Sequence, residues 1–407
     1  MDAEPEFVLA KLEIPPGWSL VERSGLPPVV IYTLPKLDHG GAELRSLQLF
    51  RHFRQVYPGL RIIVHSTSQE AGRLDAAFEQ AGVTIVRGRP GLRDMVDLYR
   101  HCRRSGATIA HVNAGMKSGY YVLAAFLAGV GTRISHFRTE TEDRFDIFSR
   151  ARGRIGVWLM RLLGTDIVGV SAATRLYPRI PARRWRTLYN GVASEDPRLA
   201  LARRREPRGG ARTLLMLGRI DRNKNGVRAV AIFEALCRRD PQAELRLRFV
   251  GAGTERELAR LKARIEASPM ADAIAVHEVT DDPLSHLREA AALLLPSKRE
   301  GLPGVVLEAL SVGTPVIASD IPATREIARA AEGINLVPLD ASDADWSDAV
   351  SRAMSDDRTE AIASAFARSP FLFDDHAAAV AALWGLPPVV SAAEDLPVPK
   401  SRVVQRA

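Results

Sequence analysis

The sequence predicts an α/β protein of two doubly wound, Rossmann-like domains facing each other across a central cleft. Three observations carry this. Short apolar runs alternate with amphipathic stretches along most of the chain, the rhythm of parallel strands joined by crossover helices. The rhythm breaks near Leu188-Tyr189-Asn190-Gly191-Val192 and restarts at Thr213, with a polar stretch rich in Arg, Pro and Gly between. The length, 407 residues, suits two domains of ordinary size.

Residues 1–26 read as a tail. A first domain spans 27–192. PPVVIYTLP is its first strand and KLDHGGAE a loop. ELRSLQLFRHFRQVY is an amphipathic helix with Leu44, Leu47 and Phe50 on one face. Strands RIIVHST, VTIVRG, ATIAHVN, TRISHFRT and DIVGVS follow, separated by helical stretches. Residues 193–211 are the connection. A second domain, 212–372, repeats the pattern from the strand TLLMLGRI through ELRLRFVGAG and AIAVHEV to AALLLPS and TPVIAS. FDDHAAAVAALWG, within 373–387, is a terminal helix, and 388–407 is a Pro- and charge-rich tail that reads as disordered.

Composition narrows the function classes. Apolar residues make up 46% and charged residues 26%, as in a soluble globular protein. Charges interrupt every apolar run before it reaches a membrane span. The acidic N-terminus lacks the build of a signal peptide, so the expected location is the cytoplasm, including its membrane face. Cys102 and Cys237 fit free thiols. The net charge of +8 is spread along the chain without a nucleic-acid module, which disfavours nucleic acid as a partner. Anionic membrane surfaces and polyphosphate ligands remain.

The most informative stretch is Pro296 to Asp320, PSKREGLPGVVLEALSVGTPVIASD. A buried strand ends, a turn with Gly and Pro follows, and a short helix runs to Gly313. The helix N-terminus at Gly301 to Gly304 offers free N–H groups and a positive dipole end, which suit a phosphate. Glu300 and Glu308 frame it, placed to accept hydrogen bonds from vicinal hydroxyls. In the same domain Gly218-Arg219 ends a strand and Lys224 follows five residues later. Two cations from one turn can clamp a diphosphate, although either is also common in a surface turn. Gly251-Ala252-Gly253 lacks the third glycine of a dinucleotide fingerprint, and no GxxxxGK loop is present.

Glu300, seven residues, Glu308, with GLP after the first and a Gly-x-Pro-Val-Ile-Ala-Ser strand downstream, resembles the donor-site signature of the retaining glycosyltransferases of family 4. The resemblance covers about Pro27 to Gly385 and is stronger in the second domain. It implies the GT-B architecture, with the last helix crossing back onto the first domain. It implies that Arg219 and Lys224 bind the donor diphosphate, that Glu308 binds the ribose, and that Glu300 contacts the sugar. The backbone of Gly301, Leu302 and Pro303 would lie along sugar and phosphate, with the base near His277 to Val279. In the first domain Gly40 and Gly41 resemble the family's glycine-rich loop, where the backbone approaches the diphosphate. His136 matches a histidine that faces the donor sugar. His111 matches a strand-end histidine of the cleft wall, and Lys117, Arg138 and Glu140 fall on the acceptor side.

The implied reaction moves a sugar from a nucleotide-diphosphate sugar, UDP- or GDP-linked, to a hydroxyl of a glycan or lipid-linked acceptor with retention, in cell-surface polysaccharide synthesis. Charge on the leaving diphosphate falls to Arg219, Lys224, the helix N-terminus and the Gly40-Gly41 loop. No Asp-x-Asp pair stands at a strand end, so no metal or other cofactor is expected. Two alternatives stay open: an inactive nucleotide-sugar-binding scaffold, and a sugar-nucleotide epimerase of the same fold. So does the use of the segment 144–164. Its Phe145, Phe148, Ile155, Leu159 and Leu162 share one helical face opposite Arg150, Arg154 and Arg161, which suits either an anionic bilayer or a buried domain helix weakened by Gly153 and Gly156.

Overall fold

The computed structural model describes residues 27–38, 40–139, 147–175, 178–193, 211–280, 282–355 and 357–388, with backbone only for 147–150. Glu140, Phe145, the side chains of Phe148 and Arg150, linker residues 194–210 and both tails lie outside the described residues.

Two parallel sheets form, as the pattern of buried strands requires. The first holds β1 (Val29–Leu34), β2 (Arg61–Ser66), β3 (Thr84–Arg87), β4 (Ile109–Val112), β5 (Thr132–Phe137), β6 (Asp166–Gly169) and β7 (Arg186–Thr187), in the order β3-β2-β1-β4-β5-β6-β7. The second holds β8 (Arg212–Leu217), β9 (Leu245–Val250), β10 (Ile274–His277), β11 (Ala292–Leu295), β12 (Val316–Ser319) and β13 (Ile334–Val337), in the order β10-β9-β8-β11-β12-β13. Every pairing is parallel. Each sheet reverses its winding between its first and fourth strands, which opens a crevice at their C-terminal ends.

In the first domain α1 (Gly41–Val56) and α2 (Asp75–Gln80) cover one face, and α3 (Leu92–Ser105) and α4 (Ser118–Leu127) the other, with α5 (Ile147–Leu163) beside α4. The buried face of α1 is Leu47, Leu49, Phe50 and Phe53, whereas Leu44 is exposed. The spacing i, i+3, i+6 drifts by about 60° per step, about 120° in all, so one of the three predicted residues leaves the core.

The helix α5 also departs from its predicted wheel. Leu159 is buried, while Ile155 and Leu162 face outward together with Trp158. Gly156 does not weaken it. A Cβ there would stand 2.1 Å from the carbonyl of Met116, and one on Gly119 only 1.9 Å from the carbonyl of Gly156. Both glycines are the points where α4 and α5 touch backbone to backbone, a contact that any side chain would block.

The second domain carries α6 (Gly226–Arg239), α7 (Glu255–Glu266), α8 (Pro283–Glu289), α9 (Gly304–Ser311), α10 (Pro322–Ala330), α11 (Asp343–Ser355) and α12 (Thr359–Phe366). The chain then returns. The last helix, α13 (Phe373–Leu383), places Ala377, Val380, Ala381 and the following Trp384 in the core of the first domain. The outgoing and returning strands are pinned where they cross: Val192 N–H donates to Phe371 O at 2.9 Å and Phe373 N–H to Val192 O at 3.0 Å. His376 bonds the Tyr189 carbonyl at 2.6 Å beside them.

Candidate active site in the interdomain cleft

The second domain supplies two loops at its switch point, one after β8 and one after β11. They are tied to each other before any ligand arrives. Asp221 Oδ1 accepts from Lys224 N–H at 2.8 Å and shapes the first turn. Asn223 bridges to the second loop, donating to Arg299 O at 2.8 Å and accepting from Lys298 N–H at 2.9 Å. The consequence is a pair: Lys224 Nζ lies 2.7 Å from Glu300 Oε1, both largely buried. Gly218 has φ of +131°, a conformation that favours glycine, and its nearest neighbour is the Lys224 side chain. Arg219 instead is exposed over 76% of its side chain, with its Nε 3.8 Å from Asp221 Oδ2.

The helix α9 starts at Gly304 on the buried Leu302 and Pro303, and no side chain caps it. Its first N–H groups are therefore available to an anion. Gly301 marks where the domains meet: a Cβ on it would lie 2.2 Å from the carbonyl of Arg138. Its own carbonyl accepts from Ser171 Oγ at 2.6 Å, again across the cleft. One turn into α9, Glu308 bonds Arg45 of the first domain. Burial raises the Glu308 pKa, and Arg45 offsets this only in part.

The first domain answers with the loop after β1. Gly41 has open space where a side chain would stand. Gly40 is covered by Glu43, whose carboxylate turns back over the start of α1 and would sit 2.1 Å from a Cβ there. Burial raises the Glu43 pKa against its own backbone N–H and the charges of Arg138 and Arg219. The carboxylate thus occupies a helix N-terminus that an anion would otherwise take.

Behind this loop is a chain of buried hydrogen bonds. Trp384 Nε1–H, a donor only, reaches His111 Nδ1 at 3.0 Å. His111 Nε2 lies 2.9 Å from His136 Nδ1. Burial drives both pKa values well below the ordinary histidine value, with Arg138 adding to the effect. Both rings are neutral, so the network fixes both tautomers. His111 accepts at Nδ1 and donates from Nε2, which leaves the proton of His136 on Nε2. That nitrogen is buried and has no partner among the described residues. Burying an N–H donor this way is costly unless something arrives to accept from it.

His136 itself lies inside β5 and is buried, where the sequence placed it at the strand end. The residue that leaves the strand into the cleft is Arg138. Its guanidinium bonds Asn113 Oδ1 at 2.7 Å, the Tyr32 hydroxyl, and Asn190 Oδ1 at 3.5 Å. Lys117 stands apart, exposed at the end of a 3-10 turn. His277 ends the edge strand β10, where its carbonyl accepts from Gly251 N–H.

Sequence reasoning missed three groups. Arg45 stands two residues beyond Glu43, and the Gly-Gly loop beside it was the available signal. Trp384 had no local signal, being 273 residues from its partner. Glu326 of α10 is only 9% exposed and accepts from the backbone N–H groups of Ala172 and Ala173 and from the Tyr189 hydroxyl. It fastens the second domain onto a turn of the first.

Two switch-point sheets, a cleft between them and a phosphate-sized cradle framed by carboxylates define a nucleotide-sugar-dependent glycosyltransferase of the GT-B fold. Residues 200–369 match the family of glycosyl transferases group 1. Over 309 residues the chain is 24% identical to the capsular polysaccharide biosynthesis glycosyltransferase CapH of Staphylococcus aureus, covering 73% of this chain and 83% of that protein. A shorter stretch of 141 residues is 35% identical to the phosphatidyl-myo-inositol mannosyltransferase of Mycolicibacterium smegmatis, covering 34% of each. The fold is similar to that of Anabaena HepE, crystallised with UDP and glucose, with TM-score 0.70, 17% identity and coverage of 88% and 99% of the two chains. The lipopolysaccharide outer core galactosyltransferase WaaB is also similar, with TM-score 0.63, 16% identity and coverage of 86% and 97%. The match to the group 1 glycosyltransferases lies in the second domain and the residues just before it.

Proposed function

We propose that this glycosyltransferase moves a hexose from a UDP- or GDP-sugar to a hydroxyl of a lipid-linked or glycan acceptor in cell-surface polysaccharide synthesis. The observation that carries the donor half is the locked pair of loops holding Lys224 against Glu300 below the uncapped start of α9. A leaving diphosphate there meets Lys224, Arg219 and the helix N–H groups in a partly dry cleft, where charge stabilisation is strong. Glu300, held by Lys224, orients the sugar hydroxyls, and Glu308 takes the ribose. The Arg138 guanidinium lines the opposite wall, with His136 buried near it. The acceptor attacks from the face the diphosphate leaves, and a departing phosphate oxygen takes its proton.

The acceptor half rests on the names of similar proteins and on one surface. Of the nine large hydrophobic residues exposed among the described residues, eight lie on α3, α4 and α5. They are Leu92, Val96 and Tyr99, then Phe126 and Leu127, then Ile155, Trp158 and Leu162. Exposed arginines flank them, including Arg93, Arg100 and Arg103 on α3 and Arg154 and Arg161 on α5. The acids of α3, Asp94 and Asp97, are buried. An apolar layer ringed by cations suits an anionic bilayer, at about 1 kcal/mol for each arginine near the surface. This favours a lipid-linked acceptor over a free glycan.

Thermal unfolding with UDP, GDP, ADP, dTDP and CMP, each with and without magnesium, tests the donor reading. A selective ligand at about a hundred times its dissociation constant stabilises the native state by roughly 2.7 kcal/mol. No stabilisation by any nucleotide favours a degenerate scaffold, or a donor site that forms only when acceptor or membrane closes the cleft. A Glu300→Ala enzyme with full sugar transfer removes Glu300 from the site.

A further inference from the structure

We infer that Arg45 is the first domain's contribution to the donor site: a cation held on Glu308 while the cleft is empty, and turned onto the diphosphate when a ribose takes that carboxylate. The inference rests on the nucleotide-sugar reading above and names a residue that reading does not contain.

Three observations place it. Arg45 lies in the first turns of α1, next to the Gly40-Gly41 loop, yet its guanidinium crosses the cleft to Glu308. The pair is sheltered, with 13% and 20% of the two side chains exposed. The same guanidinium also lies at the mouth of α9: its terminal nitrogen and Nε are 3.9 and 4.0 Å from where a Cβ on Gly304 would stand. Arg45 therefore sits between the carboxylate proposed for the ribose and the helix start proposed for the phosphates. Gln48 Oε1, accepting from its other terminal nitrogen at 3.1 Å, holds the side chain in that lane.

Competition supplies the switch. Vicinal hydroxyls would donate to Glu308, as Arg45 already does; a carboxylate can accept from both, so the exchange is one of space, the ribose seating where the guanidinium now covers Oε1. A guanidinium displaced within a sheltered cleft requires a new anion, and the diphosphate arriving at α9 is within its reach. Because Arg45 comes from the other domain, the exchange couples nucleotide binding to the cleft's geometry. A leaving group would then be neutralised from both walls.

The alternative is a salt bridge that only fastens the domains. Calorimetric titration of the wild type, Arg45→Ala and Arg45→Gln separates the two, using UDP with uridine, or GDP with guanosine for a guanine-specific enzyme. The Gln variant keeps a hydrogen-bonding side chain and guards against a folding defect. The expected result is diphosphate binding about tenfold weaker in both variants, with nucleoside binding unchanged or tighter because Glu308 is freed. Arg45→Lys should recover part of the diphosphate affinity as a point charge. The same change for nucleoside and diphosphate, or unchanged diphosphate binding, overturns the role. A wild type that binds neither ligand instead removes the nucleotide reading and the inference with it.

Discussion

The two sheets share the strand order 3-2-1-4-5-6, yet they hold their polar groups in different ways. In the second domain the groups sit on two loops, after β8 and β11, that are stitched to each other by Asn223 and by the Lys224–Glu300 pair. In the first domain a buried stack runs from Trp384 through His111 to His136 within the sheet, while Arg138, Arg45 and Ser171 reach the cleft. The outer surfaces differ as well. The first domain exposes an apolar helical layer; the second exposes no large hydrophobic residue among those described. Each of those loops belongs to its own strand–turn–helix phrase, and the second domain's sheet brings the two together. A buried stack needs the whole chain, including a helix that returns from the other domain.

The largest expected effect tests the donor side. Lys224→Ala should lower turnover by about a hundredfold to a thousandfold, because it removes a leaving-group cation and leaves Glu300 partly buried without its partner. Initial rates with the donor identified by the thermal panel measure this. Turnover within threefold of wild type would break the assignment of catalysis to the second domain.

Gly41→Ala comes next. The added methyl meets nothing in the empty cleft, so thermal stability should stay unchanged. If the loop backbone approaches the diphosphate, nucleotide affinity should still fall by about tenfold. Unchanged affinity would place the diphosphate away from the first domain.

Acidification gives the third test, and its sign follows from the histidines. Burial pushes His376 down to about 4 and holds His111 and His136 well below the ordinary value. Above pH about 6.5 both folded and unfolded states leave these rings neutral, so they contribute no pH dependence. Below it the unfolded chain binds protons that the folded chain refuses. Stability should therefore fall from pH about 6.5 towards 4, by roughly 1.4 kcal/mol for each tenfold loss of proton affinity that a ring suffers on folding. Glu308 and Glu43, with raised values, act in the opposite sense above pH about 4.5. Denaturation midpoints of wild type and His376→Gln between pH 7 and 4 separate the contributions; equal pH slopes would remove His376 from the account.

The smallest effect should come from the outer layer. Replacing Ile155, Trp158 and Leu162 with serine should release the protein from vesicles containing about a third anionic lipid, while nucleotide affinity stays as in the wild type. Equal sedimentation of variant and wild type with those vesicles would place the membrane contact elsewhere or remove it.

Much was legible in the linear chain, and for a physical reason. Short apolar runs, amphipathic helical stretches and Gly313 after α9 are local properties, so the two parallel sheets could be read directly; the spacing of Glu300 and Glu308, equally local, supports the proposed donor site. Even the break near Val192 is a local change of composition. What the linear chain left open depends on which distant surfaces meet. Gly153 and Gly156 look like flaws in a helix until α4 packs against it. His136 looks like a strand-end ligand until Trp384, far along the chain, sets its proton. Arg45 and Glu326 are ordinary charged helix residues until the second domain brings them a partner. Long-range hydrogen bonds obey no sequence period, and only the folded chain, with its last helix returned to the first domain, decides them.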